Sequence, residues 1–533
     1  MSRESLDKRL EAIVGPRWVS ARPEHLRAYG RDAWPRTYLL AREGVALKTP
    51  ELVVWPGRLE ELVRLVKLCA EVGVPMIPYG AGSGVCGGVH ALHGGVTVSL
   101  ERFDTIGPIE PLDRLVRVGA GVIGQHLEDA LGRQGYTAGH FPSSIQCSSV
   151  GGWVAGRGAG QCSSRYGKIE DIVAGMTLVD GRGEVHHFAP RPRLGLGPDP
   201  LHLIVGSEGV LGFIPELTLR VRRRARHRRM RGLLMPTVGA GLRAIQRIFA
   251  AGHRPFVARL YDPLDTTVNK GKGTGTAERR LPAFLGRGLS WLKGQEPIEA
   301  LLRQAMKGGL HRPALLNRAV DALGKQALLI LGSEGADPSL VEHELAECLV
   351  LAAEAGGDDL GPAPGEHWLE HRHAVSYKLS PMLSLGAFVD TMEVATTWER
   401  LLPLYERVRR AVADEAFVMA HFSHAYEDGA SIYFTFAGWA PELASREAAY
   451  DRTWQKALSA VREGGGTLSH HHGVGMSKQA FLRDELGEGG MKLLRGLKDA
   501  LDPAGLANPG KLGLGEGPSL PGGAAALRAE VRS

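Results

Sequence analysis

Cysteine and long apolar runs are scarce in this sequence of 533 residues. The five cysteines form no CxxC pair, and an odd number gives no complete disulfide framework. No apolar run approaches the roughly 18 residues that a membrane-spanning helix needs. The first residues, MSRESLDKRLEAIVG, lack the apolar core of a secretory signal. These absences argue against a disulfide-rich secreted protein, and we expect a reducing, cytoplasmic setting.

Positive charge is concentrated in one place. The formal net charge is +6, and a single arginine cluster between residues 220 and 231 more than accounts for it. The rest of the chain is near neutral, so the basicity is local and gives little support for nucleic-acid binding. We interpret the cluster as a solvated strand edge or a hinge between domains, with an anionic partner such as lipid headgroups as the alternative. The cluster comprises Arg220, Arg222, Arg223, Arg224, Arg226, Arg228, Arg229 and Arg231.

The chain is too long for one hydrophobic core and predicts at least two domains. Before the arginine cluster, short strands alternate with helices, beginning with a strand and an amphipathic helix over 51–68. After it, strands separated by helices predict an α+β layer. This layer includes two neighbouring strands near 416–437 and a helix over 441–463. Residues 466–511 read as glycine-rich loops.

A glycine-rich turn, Gly80-Ala81-Gly82-Ser83-Gly84, directly follows the predicted strand VPMIPY. Small residues let backbone N–H groups approach an anion closely. Gly82, Gly84 and Gly87 match G-x-G-x-x-G, but a Rossmann turn needs a helix to begin there. The sequence continues as VHALHGGVTVSL instead, to a glycine pair and a strand. The turn therefore argues against a Rossmann site and, taken alone, is weak evidence for phosphate binding.

Three further glycine-rich stretches follow in a fixed order, at 143–152, 156–160 and 206–212. Each alone is an ordinary cluster of turns. Their order after PYGAGSG, with R-Y-G-x-I-E-D before the last, resembles the FAD-binding series of the vanillyl-alcohol-oxidase (PCMH-type) family over roughly residues 45–225. We therefore expect an α+β fold with a PCMH-type FAD-binding domain and an α+β cap domain.

The resemblance implies which residues hold FAD. The turn at 78–84 would meet the pyrophosphate, 143–151 and 156–160 would line the ribityl chain and flavin ring, and 208–214 would lie near the adenine and ribose. The implied cofactor-binding residues are Pro78, Tyr79, Gly80, Ala81, Gly82, Ser83, Gly84, Ser143, Ser144, Ser149, Val150, Gly151, Gly156, Arg157, Gly158, Ala159, Glu208, Gly209, Val210, Leu211, Gly212, Phe213 and Ile214.

Some members of the family attach FAD covalently through histidine or cysteine. His90, Cys86, Cys147 and Cys162 lie near the predicted loops, but none matches the position of such a link. We expect non-covalent FAD.

Three consecutive histidines stand in Ser469-His470-His471-His472-Gly473-Val474-Gly475. Neighbouring side chains of an extended segment point to opposite faces, so three in a row do not readily bind one zinc ion. His421 and His424 could add ligands, which keeps zinc as the less favoured alternative. We predict no metal, and imidazoles placed for proton transfer near neutral pH.

The Ser-His-His-His-Gly-Val-Gly form resembles the alkyl-dihydroxyacetonephosphate synthase (alkylglycerone-phosphate synthase) family. Tyr433, 37 residues before His470, matches the tyrosine of the synthase pattern. Arg259 and Thr391 lie in segments that resemble the synthase's substrate-contacting regions. The resemblance implies Tyr433, His470, His471 and His472 as catalytic residues, with Arg259, Lys378 and Thr391 binding substrate.

One departure concerns the segment Tyr377-Lys378-Leu379-Ser380, where the synthases carry arginine at the position of Leu379. Lys378 could supply the charge, but lysine lacks the planar fork of arginine, which puts the identity of the acidic substrate group in doubt. The N-terminal peroxisomal signal of eukaryotic synthases is also absent, which favours a bacterial enzyme.

The resemblance implies a transferase that exchanges the acyl group of acyl-dihydroxyacetonephosphate for a fatty alcohol, a step of ether lipid synthesis. The alternative is an FAD-dependent D-2-hydroxy acid dehydrogenase or oxidase, and a non-enzymatic flavin-bearing binding protein is a third class. The expected domains are FAD binding at 1–225, substrate binding at 226–465, a return to the FAD site at 466–515 and a flexible tail at 516–533.

The expected partners are a small lipid-like substrate and no nucleic acid. The insertion at 264–325 mixes Leu, Phe and Trp with Lys and Arg, as segments that lie on anionic membranes do; a lid over the active site is the equal alternative. Peripheral contact with the inner membrane face and a homodimer therefore stay open.

Overall fold

The computed structural model describes residues 3–263, 265–266, 308–322, 324–373, 380–384, 386–515 and 527–529. The chain divides into two compact units, the first being Met1–Gly160, Tyr166–Arg224 and Leu468–Ser533, and the second Gln161–Arg165 and Ala225–Thr467. Helices and sheets occur in both units, which agrees with the expected α+β class. Lys378, most of the insertion at 264–325 and most of the tail at 516–533 lie outside the described residues.

Three sheets occur in the described part of the first unit. Their strands are β1 (Val19–Ser20), β2 (Leu52–Val54), β3 (Met76–Tyr79), β4 (Val96–Ser99), β5 (Ile106–Glu110), β6 (Leu115–Gly119), β7 (Tyr136–Thr137), β8 (Val173–Val179), β9 (Val185–Phe188), β10 (Phe213–Arg220) and β11 (Arg222–Arg223). The orders are β1-β2-β4-β3, β5-β6-β10-β8-β9 and β11-β7. Strands β2 and β3 run parallel to β4, and the five-stranded sheet is antiparallel.

The predicted amphipathic helix is confirmed as Leu59–Val72. Its buried positions Leu62, Leu65, Val66 and Cys69 recur at the helical period and pack in the same core as β2 and β4. The helix ends at Gly73, whose φ of 71° is the left-handed conformation typical of a C-terminal cap. The other helices of this unit are Arg3–Val14, Pro23–Tyr29, Pro35–Arg42, Gly124–Gly132, Val150–Ala155, Ile169–Ile172, Pro200–Ile204 and Leu482–Leu501, and Ser163–Tyr166 crosses the unit boundary.

One seven-stranded sheet forms the described core of the second unit. Its strands are β12 (His227–Met235), β13 (Val257–Tyr261), β14 (Ala327–Gly335), β15 (Asp358–Asp359), β16 (Phe388–Thr397), β17 (Phe417–Ala425) and β18 (Gly429–Gly438). The order is β15-β12-β14-β13-β17-β18-β16, and each pairing is antiparallel. The two neighbouring strands predicted near 416–437 are confirmed as β17 and β18.

Helices follow the strands of the second unit, as predicted. They are Val238–Ala250, Pro313–Asp321, Pro338–Glu354, Ala363–His371, Ser380–Ser384, Trp398–Val412 and Leu443–Glu463. The Oγ of Thr237 accepts a hydrogen bond from the N–H of Ala240 and so caps the first of these helices. In the part of the chain that the structure describes, none of the helices is both long and apolar enough to cross a bilayer.

The reading of 466–511 as glycine-rich loops was wrong over Leu482–Leu501, which is a 20-residue helix. Its glycines lower helix propensity, and Gly487 has a non-helical φ of 65° within it. Tertiary packing outweighs propensity, because Leu482 and Met491 are buried against Val210, Leu211 and neighbouring side chains.

The arginine cluster runs through the boundary between the units, which falls after Arg224. Arg223 stacks 4.4 Å from the ring centroid of Tyr136. Along β12, Arg228 pairs with Glu334, Arg229 with Glu342 and Arg231 with Asp359. Much of this charge is therefore matched by partners in the same chain.

Glu128 gives a prediction for stability. Its carboxylate accepts hydrogen bonds from the Thr137 hydroxyl and the Ala138 N–H, at 2.7 and 2.9 Å. Burial raises the pKa of this carboxyl to about 7, although those hydrogen bonds lower it. A raised pKa gives stability that is present below the unfolded pKa and lost as pH rises through the folded pKa. Glu128→Gln keeps the group neutral, so we expect it to unfold about 2 °C or more above wild type at pH 8 and not at pH 4.

The control is Glu71→Gln, which removes an exposed carboxylate paired with Arg9. Melting temperatures followed by circular dichroism check the expectation. An equal offset at both pH values would contradict it.

Candidate functional site

The glycine-rich segments of the predicted FAD-binding series meet in the first unit. Gly80 follows β3, and a Cβ at Gly80 would lie 2.3 Å from Oγ of Ser149. A Cβ at Gly209 would lie 2.8 Å from the ring of Pro78. Gly80, in the turn after β3, therefore contacts the Ser149 segment, and Pro78, within β3, contacts the 206–212 segment. Only glycine at positions 80 and 209 permits these approaches.

The 156–160 segment joins the same cluster. The N–H groups of Gly206 and Glu208 donate to the carbonyls of Val154 and Ala155, each at 2.9 Å. A Cβ at Gly206 would lie 3.3 Å from Cβ of Arg157. The structure thus brings together all four segments that the sequence placed in one series.

The second segment is held by its own cap. Ser149 precedes the helix Val150–Ala155, and its Oγ accepts from the N–H of Gly152 at 3.3 Å. A Cβ at Gly151 would lie 2.6 Å from Cβ of Ala120 in the same unit. Ser143 and Ser144 lie in the half-buried loop that precedes this cap.

Several residues predicted to bind FAD have side chains in the core. Val210, Leu211 and Phe213 are fully buried, and Ile214 is nearly so. Their side chains pack against other apolar groups, so only their backbone could face a ligand. Tyr79 is the last residue of β3. The remaining members lie in the turns and loops that carry the predicted motifs: Ala81, Gly82, Ser83, Gly84, Gly156, Gly158, Ala159 and Gly212.

His140 is a polar group that sequence reasoning missed. Its ring lies 4.6 Å from Trp153, and neither ring nitrogen has a hydrogen-bond partner among the described residues. Burial, followed by the charges of His471 and Lys168, lowers the pKa of His140 to about 3. A Cβ at Gly158 would lie 3.6 Å from Nε2 of His140. Buried polar atoms are rarely left unpaired, so this nitrogen beside a predicted FAD segment fits a bound polar group.

The three predicted histidines lie in the first unit and are half-buried. His470 and His471 share a contact of 3.0 Å between their Nδ1 atoms, and the rings of His471 and His472 meet edge to face at 4.7 Å. Lys168 donates from Nζ to the carbonyl of His470 at 2.8 Å. The K in R-Y-G-K-I-E-D therefore contacts the histidine segment, which the motif alone did not reveal.

Tyr433, Thr391 and Arg259 come together in the second unit. Tyr433 on β18 lies opposite His421 on β17, and their rings stack at 4.6 Å with an angle of 11°. Burial raises the pKa of Tyr433 to about 12, although a hydrogen bond with Thr391 and the charge of Arg259 lower it. Tyr433 is therefore protonated at neutral pH.

Arg259 is held by a buried imidazole. Its Nη2 donates to Nε2 of His421 at 2.5 Å, and Nδ1 of His421 lies 3.2 Å from a carboxylate oxygen of Asp265. Burial and the neighbouring guanidinium lower the pKa of His421 to about 4, so the ring is neutral at physiological pH. Arg259 is 7% exposed, and its Nε has no hydrogen-bond partner among the described residues. The arrangement directs a buried positive charge beside the Tyr433 ring.

Sequence reasoning named His421 only as a metal ligand and did not name Asp265. Strand pairing places His421 opposite Tyr261 on β13, and Asp265 follows shortly after the end of that strand. Lys378, the other predicted substrate-binding cation, lies outside the described residues.

Comparison with known proteins agrees with this geometry. Residues 224–512 match the family model for the C-terminal domain of FAD linked oxidases, and residues 50–189 match that for an FAD binding domain. An alkyldihydroxyacetonephosphate synthase of Dictyostelium discoideum is 28% identical over 90% of this chain and 75% of its own length. A D-lactate dehydrogenase of Anaerostipes hadrus is 26% identical over 87% of this chain and 89% of its own.

Solved structures agree on the fold. A solved alkyldihydroxyacetonephosphate synthase superimposes with a TM-score of 0.74 and 25% identity, covering 96% of this chain and 85% of that one. A p-cresol methylhydroxylase, at 14% identity over 96% of this chain and 97% of that one, gives a TM-score of 0.69 and supports the fold alone. The expected PCMH-type fold and the FAD cofactor are thereby confirmed.

A substitution at Gly80 tests whether the turn after β3 and the Ser149 segment bind FAD. Gly80→Ala would place a methyl group on Oγ of Ser149 and displace the cap of the following helix. We expect FAD affinity to fall about tenfold, or about 1.4 kcal/mol, as measured by fluorescence titration of the apoprotein. Gly195→Ala is the control, because a Cβ there meets nothing within 4 Å. Equal affinities for the two variants would contradict the assignment.

A substitution at His421 tests whether this imidazole holds the Arg259 guanidinium in position. His421→Phe keeps a ring to stack on Tyr433 but removes the acceptor for the Arg259 guanidinium. We expect KM for an anionic substrate to rise about tenfold while bound FAD and its absorbance stay unchanged. Steady-state kinetics measure this. An unchanged KM would show that Arg259 does not depend on His421.

Proposed function

Because this chain belongs to the family of FAD-linked oxidases, we propose that it is an FAD-dependent transferase resembling alkylglycerone-phosphate synthase. It would replace the acyl group of acyl-dihydroxyacetonephosphate with a fatty alcohol, in ether lipid synthesis. The observation that carries the proposal is the cluster of Tyr433, Thr391 and Arg259, which joins a proton-bearing hydroxyl to a buried cation.

The chain's residues fit the cofactor. The turn after β3, the Ser149 segment, the 156–160 segment and the 206–212 backbone would hold FAD, by close backbone approach at the glycines. Bound FAD supplies an electron-accepting ring system. His140, with a neutral ring and unpaired nitrogens among the described residues, would hydrogen-bond a polar group of the bound molecules.

Arg259 would bind the acidic group of the substrate. A guanidinium forms strong charge-assisted hydrogen bonds with phosphate, and burial strengthens the interaction. His421 accepts one of the Arg259 N–H groups as a neutral ring, so this contact holds the guanidinium in place without adding a negative charge beside it.

Tyr433 would move a proton at the reacting carbon. With a pKa of about 12, roughly one molecule in 100,000 carries the phenolate at pH 7. Tyr433 therefore has to give up its own proton before it can take one from the substrate. The resemblance to the synthases implies His470, His471 and His472 as the groups that take this proton, because imidazole is the side chain best suited to proton transfer near neutral pH.

The lipid-like substrate suggests where the enzyme would work. We expect the protein to meet its substrate by peripheral contact with the inner membrane face of a bacterial cell. A homodimer stays a prediction.

A second candidate is an FAD-linked dehydrogenase of a D-2-hydroxy acid. The 26% identity to a D-lactate dehydrogenase favours it, as does the leucine at position 379, where the synthases carry arginine. In that case Arg259 would bind the substrate carboxylate.

The two candidates differ in their need for an electron acceptor. The purified holoenzyme is mixed anaerobically with palmitoyl-dihydroxyacetonephosphate and hexadecanol, and ether product and released palmitate are measured by mass spectrometry. Ether formation without any acceptor supports the transferase. Reduction of the flavin by D-lactate, reversed only by an added acceptor and without ether formation, would exclude it and favour the dehydrogenase.

Tyr433→Phe tests the assigned proton carrier. We expect turnover to fall at least about 100-fold while the flavin spectrum stays unchanged. The control is Tyr405→Phe, which removes another buried hydroxyl of the second unit, one that donates to Asp262. Similar losses in both variants would argue against a specific role of Tyr433.

A further inference from the structure

Two charged residues hold the backbone of the histidine segment at its opposite ends. We define the histidine loop as residues 469–475. We infer that Glu208 and Lys168 are positioning residues that fix this loop, Glu208 through the N–H groups of Val474 and Gly475 and Lys168 through the carbonyl of His470. The catalytic consequence rests on the proposed function, whereas the effect on the loop does not.

The Glu208 carboxylate binds two consecutive backbone amides. Its Oε1 accepts from the N–H of Val474 at 2.5 Å and its Oε2 from the N–H of Gly475 at 2.8 Å. Burial raises the pKa of this carboxyl, although the two amides and the charges of Lys478 and Lys511 lower it. Both oxygens of the side chain are thus directed at the histidine loop.

The backbone of Glu208 is fixed as well. Its φ of 47° is left-handed, which is uncommon for a residue with a side chain. Its N–H donates to the carbonyl of Ala155 at 2.9 Å, and its carbonyl accepts from the side-chain amide of Asn508 at 2.7 Å. Strained residues of this kind persist where the surrounding structure over-determines them. Here the strain aims the carboxylate at residues 474 and 475.

Lys168 holds the other end of the loop. Its Nζ donates to the His470 carbonyl at 2.8 Å and pairs with Glu170 at 3.2 Å, and its side chain is mostly buried. Lys478, three residues beyond the loop, bridges it, because its Nζ donates to Oγ of Ser469 and to the carbonyl of Gly473, at 2.9 and 3.1 Å.

The two glycines of the loop suit this arrangement. A Cβ at Gly473 would lie 2.8 Å from Oε1 of Glu208, and one at Gly475 would lie 2.2 Å from the carbonyl of Cys86. Both have positive φ, 76° and 49°. The Gly-Val-Gly that follows the histidines is therefore required by the approach of the loop to Glu208 and Cys86.

The resemblance described above implies a different role for Glu208, as a ligand of FAD near the adenine and ribose. The two roles make opposite predictions for Glu208→Gln. Glutamine has the same shape but offers one acceptor and one donor, so one of the two amides would face an N–H group. A positioning residue would then release the loop and leave FAD affinity unchanged, whereas a cofactor ligand would lose FAD affinity and leave the loop unchanged.

The experiment compares the holoenzyme forms of wild type, Glu208→Gln and Lys168→Met. Hydrogen exchange is followed by mass spectrometry in peptides covering 469–476, and FAD affinity is titrated in parallel. We expect exchange in these peptides to be at least tenfold faster in both variants, with FAD dissociation constants within about twofold of wild type. Unchanged exchange, or a large loss of FAD affinity in Glu208→Gln, would overturn the proposal.

Matched controls exclude a general loss of structure. Glu128→Gln alters another half-buried carboxylate that accepts a backbone N–H, and Lys48→Met removes another lysine that donates to a carbonyl, that of Leu92. Neither should change exchange at 469–476. Lys168→Arg, which can still donate to the His470 carbonyl, should restore wild-type exchange, and its failure to do so would count against Lys168.

Turnover adds the catalytic test. For whichever substrate the wild type converts, we expect kcat of Glu208→Gln to fall at least tenfold with KM within about twofold, because the histidines are misplaced and not the substrate. If the acyl substrate is not converted, the proposed function fails, while the exchange result still decides the positioning role. Faster exchange with an unchanged kcat would overturn the catalytic consequence.

Discussion

Buried carboxylates that accept hydrogen bonds from backbone N–H groups are the interaction on which the loops of both units depend. Asp32 binds the amides of Gly87 and Gly88, Asp262 those of Asp265 and Ala420, and Asp502 those of Leu506 and Ala507. A loop has few backbone partners of its own, and an unpaired buried N–H is costly. One carboxylate satisfies two such groups and carries the charge that strengthens both bonds.

The glycine-rich composition follows from the same requirement for close backbone approach. At some positions a neighbouring group lies so near the backbone that a Cβ would collide with it, as at Gly473 beside Glu208 or at Gly209 beside Pro78. The 71 glycines of the chain are thus not simply a sign of flexibility. At these positions they allow loops to pack against one another as tightly as the regular elements do.

The sequence predicted the helices and strands whose apolar residues recur with a fixed period, and the segments that occur in a known order along the chain. The helix predicted over 441–463 is Leu443–Glu463, and the glycine-rich segments were assigned to one cofactor site because they occur in a known order. It could not predict contacts that depend on strand register. His421 meets Tyr261 and Tyr433 only because β17 lies between β13 and β18. Lys168 occupied a variable position of a motif, and nothing local indicated that it would reach His470.

The first unit is assembled from three separate stretches of chain, and the last of them contributes a bridge between Met76 and Ala507. Contacts of such long sequence separation form late and slow folding. During synthesis the ribosome therefore completes the whole second unit before the residues that finish the first unit emerge. A nascent chain would thus contain all the predicted FAD segments long before Ala507 is made. Until then β3, the edge strand that leads into the 80–84 turn, would lack its bridge partner.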